Sequence, residues 1–207
     1  MLNLTDTPHF VHATTKPKQI ILLLHGVGAD DYDLFELQPI FSQALPQAII
    51  VSPHGFDPYD HAPFGRQWFK LGDMTHEHIN KVLPNAAQRL STYIKELLEH
   101  FNMPPTKLAI LGFSQGAMLG LHYALSIREP IGSMVACSGA LIAPPSWQDM
   151  PHHLRTPIAI THGTLDNVVP ITKYRDALNI LQNAKWPVQE LELPHLEHGI
   201  DYKTINF

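Results

Sequence analysis

One pentapeptide, Gly112-Phe113-Ser114-Gln115-Gly116, has the residue types needed for nucleophilic catalysis. It follows the apolar run KLAIL and precedes QGAMLGLHYAL, which has the pattern of a helix. A G-x-S-x-G sequence between a strand and a helix is typical of a nucleophile elbow, a sharp turn that exposes the serine at the edge of a sheet. Side chains at Gly112 or Gly116 are expected to collide with neighbouring elements. We therefore predict that Ser114 is a catalytic nucleophile at the positive end of a helix.

A catalytic serine needs a histidine base, and the base needs an acid that orients it. When the serine lies in a nucleophile elbow, the three residues follow one another along the chain in the order serine, acid, histidine. The run PIAITHG leads into the loop that contains Asp166, which places this carboxylate at the carboxyl end of a predicted strand. Asp149, in a Pro-rich connection, and Asp176, in a helical pattern, are weaker candidates. For the base we favour His198 over His195, because His198 lies further into its loop and is followed by glycine.

Two backbone amides are predicted to stabilise the oxyanion of the tetrahedral intermediate. One belongs to Gln115, directly after the nucleophile at the start of a helix. The other belongs to Val27 in the segment HGVG, where small residues let the backbone approach a substrate. The histidine that opens this segment, His25, is expected to brace its loop.

A substrate groove is predicted beside these residues. Residues 53–84 are expected to form an extended loop with short elements, and such long loops are frequently functional. Its aromatic and apolar members, Trp68 and Leu71 among them, are expected to border the groove. Val168, in the loop of the predicted acid, is also assigned to substrate binding. Residues 139–156 are too short for a large helical cap, so access is expected to be open.

The elements that must position these residues alternate along the chain. Short apolar runs are typical of strands buried on both faces of a parallel sheet; they lie at 19–24, 48–52, 107–111, 133–136, 157–161 and 188–193. Helical patterns lie between them at 85–101, 115–127 and 171–184. This alternation predicts an α/β fold with a doubly wound, mostly parallel sheet and helices on both faces. We expect residues 1–207 to form one domain.

Composition excludes several other classes of function. The formal net charge of −5 gives no basic patch for nucleic acid, and the longest aliphatic run, residues 20–24, is too short to span a membrane. The single cysteine, Cys137, is expected to be a small buried hydrophobe, and the N-terminus lacks a signal-peptide pattern. A cytoplasmic location follows as the expectation. The 14 histidines include no spacing typical of a metal site, so neither a metal nor a cofactor is predicted.

The segments LLLHGVGAD, RQWFKL, LGFSQGAM, HGTLDNVVP and the terminal HGI together resemble the carboxylesterase/lysophospholipase family of small α/β-hydrolases, which includes the acyl-protein thioesterases. The resemblance extends over nearly the whole chain. It implies the α/β-hydrolase fold, a triad of Ser114, Asp166 and His198, and oxyanion amides at Val27 and Gln115. It also implies that Trp68 lines the substrate groove.

The sequence departs from the family pattern in two places. Lys70 follows Phe69 where the family has aspartate, which changes the charge at the groove rim. The closing helix after His198 is expected to be missing or short, which would leave an apolar surface for substrate or for a second subunit in a homodimer.

We predict a serine carboxylesterase that hydrolyses small-molecule acyl esters or thioesters of short to medium chain length through an acyl-enzyme. One alternative is a lysophospholipase or acyl-protein thioesterase that acts on lipidated substrates. Another is a non-catalytic ligand-binding protein on a hydrolase scaffold.

Overall fold

A seven-stranded sheet forms the centre of the protein, and the candidate catalytic loops lie at the carboxyl ends of its strands. The computed structural model describes residues 9–11, 16–72, 75–145 and 147–207. The strands are β1 (His9–Val11), β2 (Gln19–Leu24), β3 (Ala48–Val51), β6 (Leu108–Phe113), β7 (Ser133–Cys137), β8 (Ile158–Gly163) and β9 (Val188–Leu193). Their order is β1-β3-β2-β6-β7-β8-β9, and all neighbours are parallel except β1 and β3. The six predicted strands are confirmed, and β1 is an additional antiparallel edge strand.

The connections hold five helices and a small hairpin in the part of the chain that the structure describes. The helices are α1 (Gln38–Ala44), α2 (His76–Phe101), α3 (Gln115–Ser126), α4 (Ile171–Asn183) and α5 (Tyr202–Ile205). The hairpin pairs β4 (Asp57–Pro58) with β5 (Arg66–Gln67). The connection from β7 to β8 holds only two short 3-10 turns, Trp147–Asp149 and His152–Leu154, among its described residues. The described residues therefore form an α/β-hydrolase fold without a large cap, as predicted.

Helix α2 begins well before the predicted start at residue 85, so the expectation of a loop through residue 84 was wrong. Thr75 caps the helix by accepting a hydrogen bond from the backbone N–H of His78 at 3.2 Å. Pro84 lies inside the helix, where it removes one backbone hydrogen bond. Ile79 and Leu83 are nevertheless buried, and they extend the apolar stripe of α2 over the larger core. Burial of this stripe offsets the unfavourable proline.

The two faces of the sheet are covered unequally. Alternate strand residues point to opposite faces, and the larger core packs one face against α2, α3 and α4. The smaller core, which includes Ile21 and Leu111, packs against Phe41 of α1 and against Ile200 before α5. Helix α5, which follows His198, is four residues long. Within the described ranges, no helix combines the length and the apolar character needed to cross a membrane.

Candidate active site

Ser114 lies at the turn between β6 and α3, and its backbone has the strained geometry of a nucleophile elbow. Its φ and ψ are 52° and −112°, a conformation that L-residues rarely adopt. The turn is held by neighbouring elements, because the N–H of Ser114 donates to the carbonyl of Cys137 at 2.9 Å. Cys137 itself is fully buried, and burial raises the pKa of its thiol to about 11. Cys137 is therefore a small core residue, as predicted. Ser114 is the candidate nucleophile at the carboxyl ends of the strands.

The two glycines of the pentapeptide are needed for packing. A Cβ atom on Gly112 would lie 2.5 Å from the carbonyl oxygen of Gly116. A Cβ atom on Gly116 would overlap the carbonyl oxygen of Leu24 at the end of β2. The close approach of β2, β6 and α3 at this turn thus requires glycine at both positions, which confirms the expected collision.

Asp166 and His198 form a hydrogen-bonded pair at the same edge of the sheet. His198 Nδ1 donates to Asp166 Oδ2 at 2.7 Å. The other carboxylate oxygen, Oδ1, accepts from the N–H groups of Val168 at 2.9 Å and Val169 at 2.8 Å. Burial by itself raises the pKa of Asp166, but the hydrogen bonds from His198, Val169 and Val168 outweigh burial and hold that pKa below its usual value. Asp166 is therefore a fixed, ionised partner for the imidazole of His198.

The other candidates for acid and base lie elsewhere. His195 is exposed and has a positive φ of 67°, and its backbone N–H donates to Thr164 Oγ1 at 3.1 Å. Asp149 is exposed in a 3-10 turn, and Asp176 is exposed on α4. The geometry supports Asp166 and His198 as the acid and base, with the ring of His198 packed 4.8 Å from that of Phe113.

The segment that contains Val27 is tied to the β4–β5 hairpin. The N–H of Gly28 donates to the carbonyl of Arg66 at 2.8 Å, and the N–H of Arg66 donates to the carbonyl of Ala29 at 2.8 Å. Gly28 has a φ of +84°, which an L-residue adopts only with strain. These bonds hold the turn beside the elbow, where the N–H groups of Val27 and Gln115 remain the predicted oxyanion donors.

Gln115 has a second feature that the sequence did not indicate. Its side chain is buried, and its Oε1 accepts from the N–H of Trp68 at 2.8 Å while its Nε2 donates to the carbonyl of Phe69 at 2.8 Å. These two bonds join the chain after β5 to the first residue of α3. The contacts are between residues far apart in sequence, so no local pattern could have revealed them.

His25 braces the segment that it opens, as expected. Its Nε2 accepts from the N–H of Gly55 at 2.9 Å, so its other ring nitrogen carries the proton and donates to the carbonyl of Gly26 at 2.7 Å. The ring is fully buried, and burial lowers its pKa to about 4. His25 is therefore neutral at pH 7 and holds residues 53–55 against the turn after β2.

The expectation that Trp68 lines the groove is corrected by the structure. Trp68 is only 1% exposed, and its indole N–H donates to the carbonyl of His25 at 2.8 Å. Its ring packs 5.0 Å from that of His25 and 5.1 Å from that of Phe56. Trp68 supports the turn after β2 from within the core. Leu71 is half-buried and Val168 is 62% exposed, and their roles in substrate binding stay predictions.

Within the described parts of the chain, no cluster of three or more histidine, cysteine, aspartate or glutamate side chains is arranged to hold a metal ion. The groups that the structure brings together are a strained serine, a hydrogen-bonded acid and histidine, and backbone donors beside a helix N-terminus. This set is suited to acyl transfer.

Comparison with known proteins places these features in a family. Residues 6–207 match the phospholipase/carboxylesterase family. The chain is 27% identical to the esterase YpfH of Escherichia coli (strain K12) over 205 residues, 96% of this chain and 84% of that protein. It is 28% identical to acyl-protein thioesterase 1 of Debaryomyces hansenii over 77% of this chain and 75% of that protein. The crystal structure of esterase PE8 matches with a TM-score of 0.88 and 26% identity, covering 97% of this chain and 94% of that one. The chain therefore belongs to the phospholipase/carboxylesterase family of α/β-hydrolases.

Proposed function

We propose that this protein is a serine carboxylesterase that hydrolyses small-molecule acyl esters or thioesters of short to medium chain length through an acyl-enzyme. The observation that carries the proposal is the strained Ser114 elbow at the same sheet edge as the Asp166–His198 pair. Family membership supports the reaction class. The absence of a large cap among the described residues supports open access for the acyl chain.

In the proposed mechanism the Ser114 hydroxyl oxygen attacks the acyl carbonyl carbon and its proton passes to His198 Nε2. Asp166 stabilises the imidazolium that forms, and the N–H groups of Val27 and Gln115 donate to the oxyanion. The intermediate then collapses, and His198 returns the proton to the departing alkoxide or thiolate. Water, activated by His198, attacks the acyl-enzyme and releases the carboxylic acid together with free Ser114.

The leaving group can contain oxygen or sulfur, because both esters and thioesters pass through the same acyl-enzyme. The relatives support both, since one is named an esterase and another an acyl-protein thioesterase. The acyl-protein thioesterase activity is therefore the second candidate. Turnover of matched acyl esters and acyl thioesters by one enzyme preparation separates the two.

The first test is mass spectrometry after treatment with a fluorophosphonate, followed by turnover of p-nitrophenyl esters from acetate to octanoate. We expect stoichiometric labelling at Ser114 and turnover that depends on chain length. Ser114→Ala is expected to lose at least ~10³-fold in kcat, because the nucleophile is removed. Cys137→Ala is the matched control and is expected to retain activity, since its thiol is buried. Folded protein that is neither labelled nor active would instead be a ligand-binding protein on a hydrolase scaffold.

A further inference from the structure

A second histidine, which the proposed mechanism does not use, contacts the catalytic carboxylate. His162 lies in β8, is 1% exposed, and has its Nε2 3.2 Å from Asp166 Oδ2. The same Nε2 is 2.7 Å from the carbonyl oxygen of Val169. Two imidazoles thus contact Asp166: the partly exposed ring of His198 and the buried ring of His162.

The contacts of His162 determine where its proton lies. A carbonyl oxygen and a carboxylate oxygen only accept hydrogen bonds, so His162 Nε2 must carry a proton. That N–H donates to the carbonyl of Val169, while the N–H of Val169 donates to Asp166 Oδ1 at 2.8 Å. His162, the Val169 peptide and the Asp166 carboxylate therefore form a closed ring of contacts.

The surroundings of His162 keep this ring of contacts in place. The ring of Tyr174 packs 5.7 Å from that of His162, and the Tyr174 hydroxyl donates to Glu190 Oε2 at 2.6 Å. A Cβ atom on the next residue, Gly163, would overlap the carbonyl oxygen of Leu196. The end of β8 therefore lies directly against the loop that contains the base, and it contacts the acid as well.

We propose that His162 is a positioning residue that holds the Val169 peptide and the Asp166 carboxylate so that Oδ2 stays aligned on His198 Nδ1. This inference rests on the proposed function, since it concerns the triad of that reaction. His162 does not touch the substrate or the reacting atoms. It acts through the orientation of Asp166, and small misplacements of catalytic groups are costly to the rate.

The test compares two substitutions that differ in one property. Glutamine and methionine both replace the ring with an unbranched side chain of similar length, but only glutamine can donate a hydrogen bond to Val169. We expect His162→Met to lower kcat for p-nitrophenyl butyrate by about 10²-fold with little change in KM. His162→Gln is expected to restore most of that loss. If His162 only filled space, His162→Met and His162→Gln would have the same kcat.

His122 provides the matched control. It is also a buried histidine, 5% exposed, and its Nδ1 contacts the carbonyl oxygen of Ile142, in the connection after β7, at 2.7 Å. His122→Met and His122→Gln are expected to change stability but not kcat of the folded protein. Urea denaturation of all four variants identifies the folded fraction to which each kcat refers.

The outcomes separate this inference from the proposed function. Labelling of wild-type Ser114 by a fluorophosphonate tests the function, whereas the difference between the methionine and glutamine variants tests His162. If the wild-type enzyme is labelled but folded His162→Met keeps its kcat, the inference is overturned. If His162→Met does not fold, the kcat of His162→Gln is the deciding measurement. A kcat close to that of wild type supports the role of His162 as a hydrogen-bond donor. A folded His162→Gln protein that is as slow as Asp166→Ala overturns that role. If wild-type protein is unreactive, both proposals fall.

Discussion

At the scale of single residues, the site depends on positions where a side chain is absent. Gly116 lies in the first turn of α3, and a Cβ atom there would overlap the backbone carbonyl of Leu24. Gly199 follows the proposed base, and a Cβ atom there would have no atom within 4 Å apart from those of its neighbours in the chain. Both glycines lie beside a candidate catalytic residue. Because only Gly116 is closely surrounded, we expect alanine to be harmful there and tolerated at position 199.

We predict that Gly116→Ala lowers stability by about 1–3 kcal/mol, because β2 and α3 must separate to admit the methyl group. The shift displaces Ser114, so kcat should fall by about 10²-fold. Gly199→Ala is the control and should stay close to wild type in both properties. Thermal unfolding and p-nitrophenyl ester turnover measure the two effects. An active, stable Gly116→Ala protein would contradict the packing described for the elbow.

The residues of the candidate triad were predictable because each lies in a motif after a strand. Trp68 was misjudged, because an aromatic residue on a long segment has the same sequence pattern whether it lines a groove or fills a core. The contacts of His162 and of the Gln115 side chain depend on how distant loops meet. Those contacts exist only once the strand ends are brought together.

At the scale of elements, one side chain joins α3 to the segment that follows β5. The Gln115 side-chain amide bonds to the backbone of Trp68 and Phe69, whereas its backbone N–H is the predicted oxyanion donor. Loss of the side-chain amide would leave a buried N–H and a buried carbonyl without these partners, at a cost of about 1–3 kcal/mol each.

Gln115→Met removes this connection while keeping the backbone donor and the side-chain length. We expect kcat to fall about tenfold, because the chain after β5 and the turn that contains Val27 lose their support against α3. Gln67→Met is the matched control, since its buried amide donates to the carbonyl of Pro58 within the hairpin at 2.7 Å. It should destabilise the hairpin with little effect on kcat. Equal losses of kcat in the two variants would contradict a specific role of Gln115.

Burial and backbone propensity explain which strands and helices could be predicted from the sequence. The strands were found because continuous apolar runs are required where a parallel sheet is covered on both faces. The start of α2 was missed because Pro84 has an unfavourable helix propensity, which burial of Ile79 and Leu83 overrides. Strand β1 and the β4–β5 hairpin have only two or three residues each, too few for a periodic pattern.

At the scale of the whole molecule, stability is coupled to pH through buried histidines. Burial lowers the pKa of His25 from 6.5 to about 4 and also lowers the pKa of His122. Between these pH values the unfolded chain binds a proton at residue 25 and the folded chain does not. The free energy of unfolding therefore falls as the pH is lowered from 6.5 towards 4, by up to about 3 kcal/mol for His25.

We predict that His25→Gln flattens this pH dependence. Glutamine does not titrate, and its side-chain oxygen can still accept from the N–H of Gly55, so the contribution of residue 25 to proton binding disappears from both states. Urea denaturation at intervals from pH 7 to pH 4 measures the slope, and the exposed His153→Gln controls for the replacement itself. The variant should be less stable than wild type at pH 7, and the difference should shrink as the pH falls. Parallel curves for wild type and variant would mean that His25 takes up its proton in the folded protein as readily as in the unfolded chain, and the brace between β2 and residues 53–55 would then be open to solvent.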